Sequence, residues 1–201
     1  MITLEKAIQI IRKNHGVIST SQAIKAGIAP KTLYAMRDHG IIIPISRGLY
    51  RLKDAELPGN PDLVTVAMRI PKAVICLISA LHFYNLTEQI PYLVYIALPQ
   101  QAEMPRLDHP PLKIIWLSTK TYAAGIQEVS MDNTPIRIYS PEKTITDCFK
   151  FRNKFGLDVA IDALKRYMSQ PSEKQDFASL MHYARLNRVE KIIMPYIQAL
   201  T

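Results

Sequence analysis

Short segments separated by glycine and proline make up the N-terminal part of the chain and restrict what it can fold into. Gly16, Gly27 and Gly40 each follow a run in which apolar residues recur at helical spacing, and Pro30 opens the third run. Glycine is common just past a helix end because it tolerates positive φ, and proline is common in the first turn of a helix. The pattern therefore predicts three short helices before residue 41.

The first two of these helices carry capping signals. Thr3 can cap a helix over residues 4–14, and Ser19 or Thr20 can cap a second one, SQAIKA, after a connector or short strand at residues 17–18. One face of the first helix is apolar and carries Leu4, Ala7, Ile8 and Ile11. Both helices are therefore predicted to contribute to one small core.

The third helix, KTLYAMRDHG, has two different faces. Leu33 and Met36 are spaced to point the same way into a core, whereas the opposite surface is polar. Lysine and arginine can bond guanine, threonine can bond a base or a phosphate, and tyrosine can bond a phosphate. The side chains of this helix that we predict to face DNA are Lys31, Thr32, Tyr34 and Arg37.

A predicted β-hairpin follows the third helix. The β-branched residues 41–43 and the run 49–52 flank a turn that contains Pro44 and Gly48. Three helices followed by such a hairpin are the order of a winged helix-turn-helix, which places one helix in a DNA groove and the hairpin, or wing, beside it. Arg47 at the tip is predicted to contact the minor groove or a phosphate. The alternative is a hairpin that only covers the helices, with Arg47 solvated.

Positive charge is concentrated in the same part of the chain. Residues 1–56 contain nine Lys or Arg and four Asp or Glu, an excess of +5, whereas the other 145 residues contribute +3. Each Lys or Arg set against a phosphate releases counterions, so this density suits a polyanion. Lys25 of the second helix is added to the candidate DNA contacts on this ground. An ordinary solvated basic face is the alternative.

Residues 53–61, with two prolines and one glycine, are the best candidate for a domain boundary. We predict a winged helix-turn-helix domain over residues 1–56 and a mixed α/β domain over residues 57–201, which makes the whole chain α+β. In the second domain, the apolar residues 73–86 are predicted to form one buried helix. The other predicted elements there are a helix at 62–70, strands at 91–98 and 112–117, a hairpin at 125–140 and four helices after residue 140.

The residues with acid, base or ligand chemistry form no convincing catalytic cluster. The five histidines are scattered without zinc-ligand spacing, and no glycine-rich phosphate loop is present. Cys76 and Cys148 lie in apolar runs and are predicted to be buried hydrophobic residues. Glu142, Lys143 and Asp147 come nearest to an acid/base group, but helix capping and surface pairing are favoured over catalysis. We predict no cofactor, no metal and no enzymatic activity.

Membrane and export signals are missing from the sequence. No run reaches about 18 uninterrupted apolar residues, and the first residues lack the apolar core of a signal peptide. We therefore predict a cytoplasmic protein with no membrane partner.

Residues 23–52, AIKAGIAPKTLYAMRDHGIIIPISRGLYRL, resemble the winged-helix domain of AbiEi-type antitoxins from abortive-infection toxin–antitoxin systems. Members of that family have a helix that begins with a basic residue and Thr-Leu-Tyr, and a wing that ends in glycine, an aliphatic residue and tyrosine. Further similar segments are Ser79-Ala80-Leu81, Val94–Pro99 and Ser140–Asp147. The resemblance spans most of the chain. One departure is Asp38, where a more basic helix is common.

The resemblance implies a two-part function. Such proteins bind inverted repeats in double-stranded DNA at the promoter of their own operon and repress it. Their C-terminal domain counteracts a nucleotidyltransferase-type toxin in phage defence, without a stable antitoxin–toxin complex. Carried over to this chain, the DNA-facing positions are again Lys31, Thr32, Tyr34 and Arg37, with Arg47 on the wing.

Two other classes of function remain open from the sequence. The chain could be a ligand-responsive winged-helix transcription factor whose C-terminal domain senses a small molecule. It could also be a nuclease or a nucleotide-modifying enzyme that uses the winged helix only for delivery to DNA. A gene for a nucleotidyltransferase immediately downstream would favour the antitoxin over both.

Overall fold

The computed structural model describes residues 2–14, 16–55, 59–131 and 134–200. Helices and sheets are both present, so the predicted α+β class is confirmed. Contacts between residues divide the chain into two compact units. The first unit takes the residues up to Pro71 together with Arg106–Pro110 and Ser130–Ile136, and the second takes the other residues.

The first unit begins with three helices and a small sheet, as the sequence predicts. The strands form an antiparallel sheet in the order β1-β3-β2, and apolar residues of the helices pack on it. Ala7, Ile11 and Leu33 are among the residues without exposed surface in this core. The elements of this unit are α1 (Leu4–Lys13), β1 (Val17–Ser19), α2 (Thr20–Lys25), α3 (Pro30–Asp38), β2 (Ile42–Ser46), β3 (Leu49–Leu52) and α4 (Pro61–Arg69).

The hairpin differs from the prediction in the length of its first strand. β2 runs through Pro44 to Ser46, with an irregular register against β3 between these two residues. The turn is therefore only Arg47-Gly48. Proline cannot donate a ladder hydrogen bond, but β2 lies at the edge of the sheet, where that loss is tolerated. The prediction that the turn begins at Pro44 is thus wrong.

The second unit is built on a mixed five-stranded sheet. The strand order is β6-β5-β4-β8-β7, in which β4 pairs antiparallel with β5 and parallel with β8. β5 and β6 are parallel. The elements are β4 (Val74–Ile75), α5 (Leu77–Phe83), β5 (Val94–Pro99), β6 (Leu112–Leu117), α6 (Thr119–Ala123), β7 (Ile126–Met131), β8 (Thr134–Tyr139), α7 (Pro141–Lys150), α8 (Arg152–Phe155), α9 (Leu157–Met168), α10 (Phe177–Leu186) and α11 (Glu190–Leu200). Residues 130–131 of β7 and 134–136 of β8 are grouped with the first unit.

The single buried helix predicted over residues 73–86 is wrong at its start. Val74 and Ile75 form the central strand β4, and α5 begins only at Leu77, whose φ of 46° turns the backbone between the two elements. A short buried strand and a buried helix are both continuous apolar runs, so periodicity cannot separate them. The pairing partners of β4 decide between them, because its two sides are occupied by β5 and β8.

The polar side chains of α7 are not on the surface. Ser140 accepts a hydrogen bond from the Lys143 backbone N–H and Pro141 follows it, so the predicted cap is confirmed. However, α7 packs against α5, α9 and α10, and Glu142, Lys143 and Asp147 are buried. The predicted surface pairing of these three residues is therefore wrong. The salt bridge that does form, between Lys143 and Asp147, is a buried one.

Cys76 and Cys148 are both buried free thiols, as predicted. Burial raises the pKa of each thiol well above its ordinary value, because a thiolate would be deprived of water. Both side chains therefore act as small apolar groups in the core of the second unit.

The helices of the described ranges are short. α9, for example, has 12 residues, whereas a helix needs about 20 apolar residues to cross a bilayer. Within those ranges no helix has the length and apolarity of a membrane span.

Candidate nucleic-acid interface

Helix α3 is anchored through one face and exposes the other. Pro30 is its first residue, and Leu33 and Met36 are buried in the core of the first unit. Lys31, Tyr34 and Arg37 are exposed. The predicted division of this helix into a core face and a polar outer face is confirmed. The outer face is therefore exposed to solvent.

The connection between α2 and α3 is fixed by local hydrogen bonds. The backbone N–H of Ile28 donates to the carbonyl of Ala23 at 2.8 Å, and the Ile28 side chain is buried. Gly27 has a φ of 87°, which a side chain would strain. This turn therefore sets the angle between the two helices.

The start of α2 is closed by a reciprocal pair of hydrogen bonds. Ser19 Oγ accepts from the Gln22 backbone N–H, and the Gln22 amide oxygen accepts from the Ser19 backbone N–H at 2.9 Å. Of the two predicted caps, Ser19 is the one used. This capping box satisfies two N–H groups that a helix start would otherwise leave unpaired.

A local network at the end of α3 restrains Arg37. Its Nη2 lies 2.8 Å from Asp38 Oδ1, and its guanidinium carbon lies 5.2 Å from the centre of the Tyr34 ring. The hydrogen bond and the charge of Asp38 raise the pKa of Arg37, so the guanidinium is firmly protonated. Asp38 also offsets part of the local positive charge. Lys31 has no such counter-ion among the described residues, so its positive charge, unlike that of Arg37, is not offset by a neighbouring carboxylate.

The hairpin tip is tied to two neighbouring elements of the first unit. The Gly48 carbonyl accepts a hydrogen bond from the Thr20 backbone N–H at 2.8 Å. The Arg47 carbonyl accepts another from Arg69 Nη1 at 2.7 Å. A side chain at Gly48 would meet both Arg69 and Thr20, at 3.1 and 3.3 Å from its Cβ. The tip is therefore held by its backbone, while the Arg47 side chain is exposed.

The structure exposes all the candidate DNA contacts except the half-buried Thr32. Lys25 lies in the last turn of α2, and Arg47 is the first residue of the hairpin turn. Arg69, in the last turn of α4, is a residue that sequence reasoning missed. Its only sequence signal is a basic residue at a helix end, whereas its bond to Arg47 joins positions 22 residues apart. Basic side chains of the first unit thus extend beyond those chosen from the sequence.

Residues 5–53 match the family model described as "Transcriptional regulator, AbiEi antitoxin". This match confirms the family resemblance over that part of the chain. Among solved structures, the "RV2827C protein from Mycobacterium tuberculosis" is similar, with a TM-score of 0.58 and 13% sequence identity. The similarity covers 89% of this chain and 69% of that one, and at this identity it shows the fold alone. No curated protein matches the sequence.

Proposed function

We propose that this chain is a DNA-binding transcriptional regulator of the AbiEi antitoxin kind, with residues 1–56 as a winged helix-turn-helix. In this proposal α2 and α3 form the helix-turn-helix, and β2 and β3 form the wing. The observation that carries it is the two-faced α3, which buries Leu33 and Met36 and exposes Lys31, Tyr34 and Arg37. The family match over residues 5–53 covers all of these residues and supports the proposal.

The proposed mode of binding places the outer face of α3 in the major groove of an operator. Lys31 and Arg37 would reach base edges or phosphates, Thr32 and Tyr34 would bond phosphates, and Arg47 on the wing would contact the backbone or the minor groove beside it. Lys25 would add a phosphate contact from α2. Inverted repeats would be read by two copies of the chain related by two-fold symmetry.

The second half of the proposal concerns residues 57–201. We assign them the role of counteracting a nucleotidyltransferase-type toxin, as the family resemblance implies, without a stable complex and without enzymatic activity of their own. The support is the succession of family-like segments along this part of the chain, including Ser140–Asp147. In this chain that segment forms the start of α7, and its buried side chains are part of the core. They therefore stabilise the domain and do not offer a surface to the toxin.

Replacing Lys31 or Arg47 with alanine is expected to weaken binding to the DNA segment upstream of the chain's own gene. Each side chain that neutralises one phosphate contributes about 0.9 to the slope of log K against log salt. A variant whose lost contact is to the DNA backbone should therefore lower that slope by about one. The measurement is a fluorescence-anisotropy titration at four salt concentrations. Lys165→Gln, which removes one exposed charge from α9, is the matched control. If both alanine variants bind like this control, α3 and the hairpin are not the DNA surface.

The two proposed activities are expected to separate in one variant. Lys31→Ala combined with Arg47→Ala should relieve repression of a reporter placed behind the upstream segment, because both proposed DNA contacts are lost. The same variant should still rescue growth against a co-expressed nucleotidyltransferase-type toxin. A control with two charges removed elsewhere, Lys165→Gln with Arg185→Gln, should repress and rescue like wild type. Loss of rescue in the DNA-contact variant at normal protein level would refute the proposed division of labour.

A further inference from the structure

A cavity of about 260 Å³ opens beside the hairpin tip, within the first unit. Three arginines from three different segments line it: Arg47 of the turn, Arg69 of α4 and Arg106 of the segment that precedes β6. The other lining residues are Leu107, Asp108 and His109. Like charges repel, so a cavity lined by three guanidinium groups favours the binding of an anion.

The three arginines are placed there by different means. One Nη1 N–H of Arg69 donates to the Arg47 carbonyl, which leaves four of its five N–H groups for other acceptors. Arg69 also lies at the C-terminal end of α4, where the helix dipole favours a cation. Arg106 is exposed and has no ion-pair partner among the described residues. All three arginines are exposed, and Arg69 is in addition held in place by its hydrogen bond to the Arg47 carbonyl.

The acidic residues nearby do not neutralise this cluster. Asp108 lines the cavity and offsets one of the three guanidinium charges. Asp62 faces His109, with 3.6 Å between its Oδ1 and the histidine Nε2, and the side chains of His109 and Asp62 are 68% and 49% exposed. Three permanent cations thus stand against one lining carboxylate. The excess positive charge favours an anion, and the several N–H donors of each guanidinium group suit an anion with more than one acceptor oxygen.

We propose that this cavity binds a phosphate of the DNA backbone next to the wing, through Arg69 and Arg106 in addition to Arg47. This inference rests on the proposed function and adds two contacts that lie outside residues 1–56. Arginine pairs with phosphate through two parallel N–H···O bonds, which lysine cannot reproduce.

The size of the cavity and its place both favour a backbone phosphate. It is smaller than the roughly 300–1,000 Å³ of pockets that enclose a whole small molecule. Its lining is charged, and one wall is Arg47, the residue that the wing would present to DNA. A phosphate of a duplex lying across the wing would therefore be held at this point, with the rest of the nucleic acid outside.

The test measures DNA binding by the full chain for Arg69→Gln, Arg106→Gln and Arg106→Lys, with Lys165→Gln as the charge-matched control. The three arginines would share one phosphate, which contributes about 0.9 to the salt slope in total. Each glutamine variant is therefore expected to lower the slope by only part of that amount and to lose roughly two- to fivefold in affinity near 0.1 M salt. Arg106→Lys should keep most of the salt slope but lose affinity, because lysine keeps the positive charge and loses the two parallel N–H donors that arginine presents to a phosphate. In a phosphate-ethylation interference experiment, ethylation of one phosphate should weaken binding of the wild-type chain and should no longer weaken binding of Arg106→Gln.

The outcomes separate this inference from the function on which it rests. If Lys31→Ala weakens binding but Arg69→Gln and Arg106→Gln match the Lys165→Gln control, the phosphate site is wrong and the winged-helix proposal stands. If Lys31→Ala also matches the control, the proposed function itself fails. A third arm adds inorganic phosphate at constant ionic strength. One result to look for is that phosphate raises the melting temperature of the wild-type chain but not of Arg106→Gln, while the salt slope of DNA binding is the same for both. That result would show that the cavity binds a free anion and would refute its binding of a DNA phosphate.

Discussion

Replacing Asp147 with alanine is expected to lower the free energy of unfolding of the second unit by about 3–5 kcal/mol, the usual cost of leaving one charge of a buried pair without its partner. Lys143 Nζ lies 2.6 Å from both carboxylate oxygens of Asp147, and neither side chain is more than 2% exposed. Without the carboxylate, the ammonium group would have to lose its proton or draw water into the core. Either change costs stability.

The surroundings of this pair increase the expected loss. Asn187 donates to Asp147 Oδ1 at 2.8 Å and to Thr146 Oγ1 at 3.1 Å, and it is itself buried. The Lys143 ammonium also lies 4.4 Å from the centre of the Tyr139 ring. Asp147→Ala therefore leaves the Asn187 amide and the lysine both short of an acceptor. A buried donor without a partner costs about 1–3 kcal/mol by itself.

Two further variants make this prediction specific. Asp162→Ala breaks another i,i+4 ion pair, the one between Asp162 and Arg166. The side chains of these two residues are 48% and 34% exposed, so the variant is expected to lower the free energy of unfolding by at most about 1 kcal/mol. Lys143→Met with Asp147→Leu removes both charges and should recover the part of the loss that comes from the unpaired ammonium group, while Asn187 still lacks the Asp147 acceptor. Urea unfolding is followed by the fluorescence of Trp116, the single tryptophan, which lies in β6 of the second unit. Equal costs for Asp147→Ala and Asp162→Ala would contradict the buried pair.

Leu33→Ala is expected to destabilise the first unit by about 2–5 kcal/mol, the range for truncating a buried leucine. Leu33 has no exposed surface and packs in the core cluster of that unit. Because it anchors α3, its truncation should also weaken DNA binding although the residue is inaccessible to DNA. The effect on binding would then come through the position of Lys31 and Arg37.

Hydrogen exchange of the amides in β3 measures this loss, because these amides pair with β1 and β2. Tyr34→Ala, one residue further along the same helix, is the stability control, since that side chain is exposed and surface substitutions usually stay within about 0.5 kcal/mol. Trp116 fluorescence should report an unchanged second unit in both variants. Faster exchange in β3 for Tyr34→Ala than for Leu33→Ala would overturn the assigned faces of α3.

Local signals explain what the sequence predicted correctly in the first unit. The glycines after α1, α2 and α3, the cap at Ser19 and the spacing of Leu33 and Met36 all act within a few residues of one another. For that reason the helices, the hairpin and the faces of α3 could be predicted without knowing any tertiary contact. The candidate DNA contacts on α3 and the hairpin depended on the same short-range pattern.

Long-range contacts explain what the sequence did not reveal. β4 has two residues and is a strand only because β5 and β8 flank it. Lys143 and Asp147 have the i,i+4 spacing of an ordinary surface pair, and their burial depends on α5, α9 and α10 packing around α7. The cavity beside Arg47 likewise joins side chains that are distant in the chain. None of these features leaves a periodic trace in the sequence.

The central position of β4 has a consequence for synthesis on the ribosome. Ile75 needs Ile138 as its parallel neighbour, so the five-stranded sheet cannot close until most of the chain has been translated. Residues 4–52, in contrast, hold all six elements from α1 to β3 and can pack among themselves much earlier. Domains generally fold as units in the order of their synthesis. A prematurely terminated chain would therefore retain the α3 surface and lack the second unit, and under the proposed function such fragments would repress without neutralising.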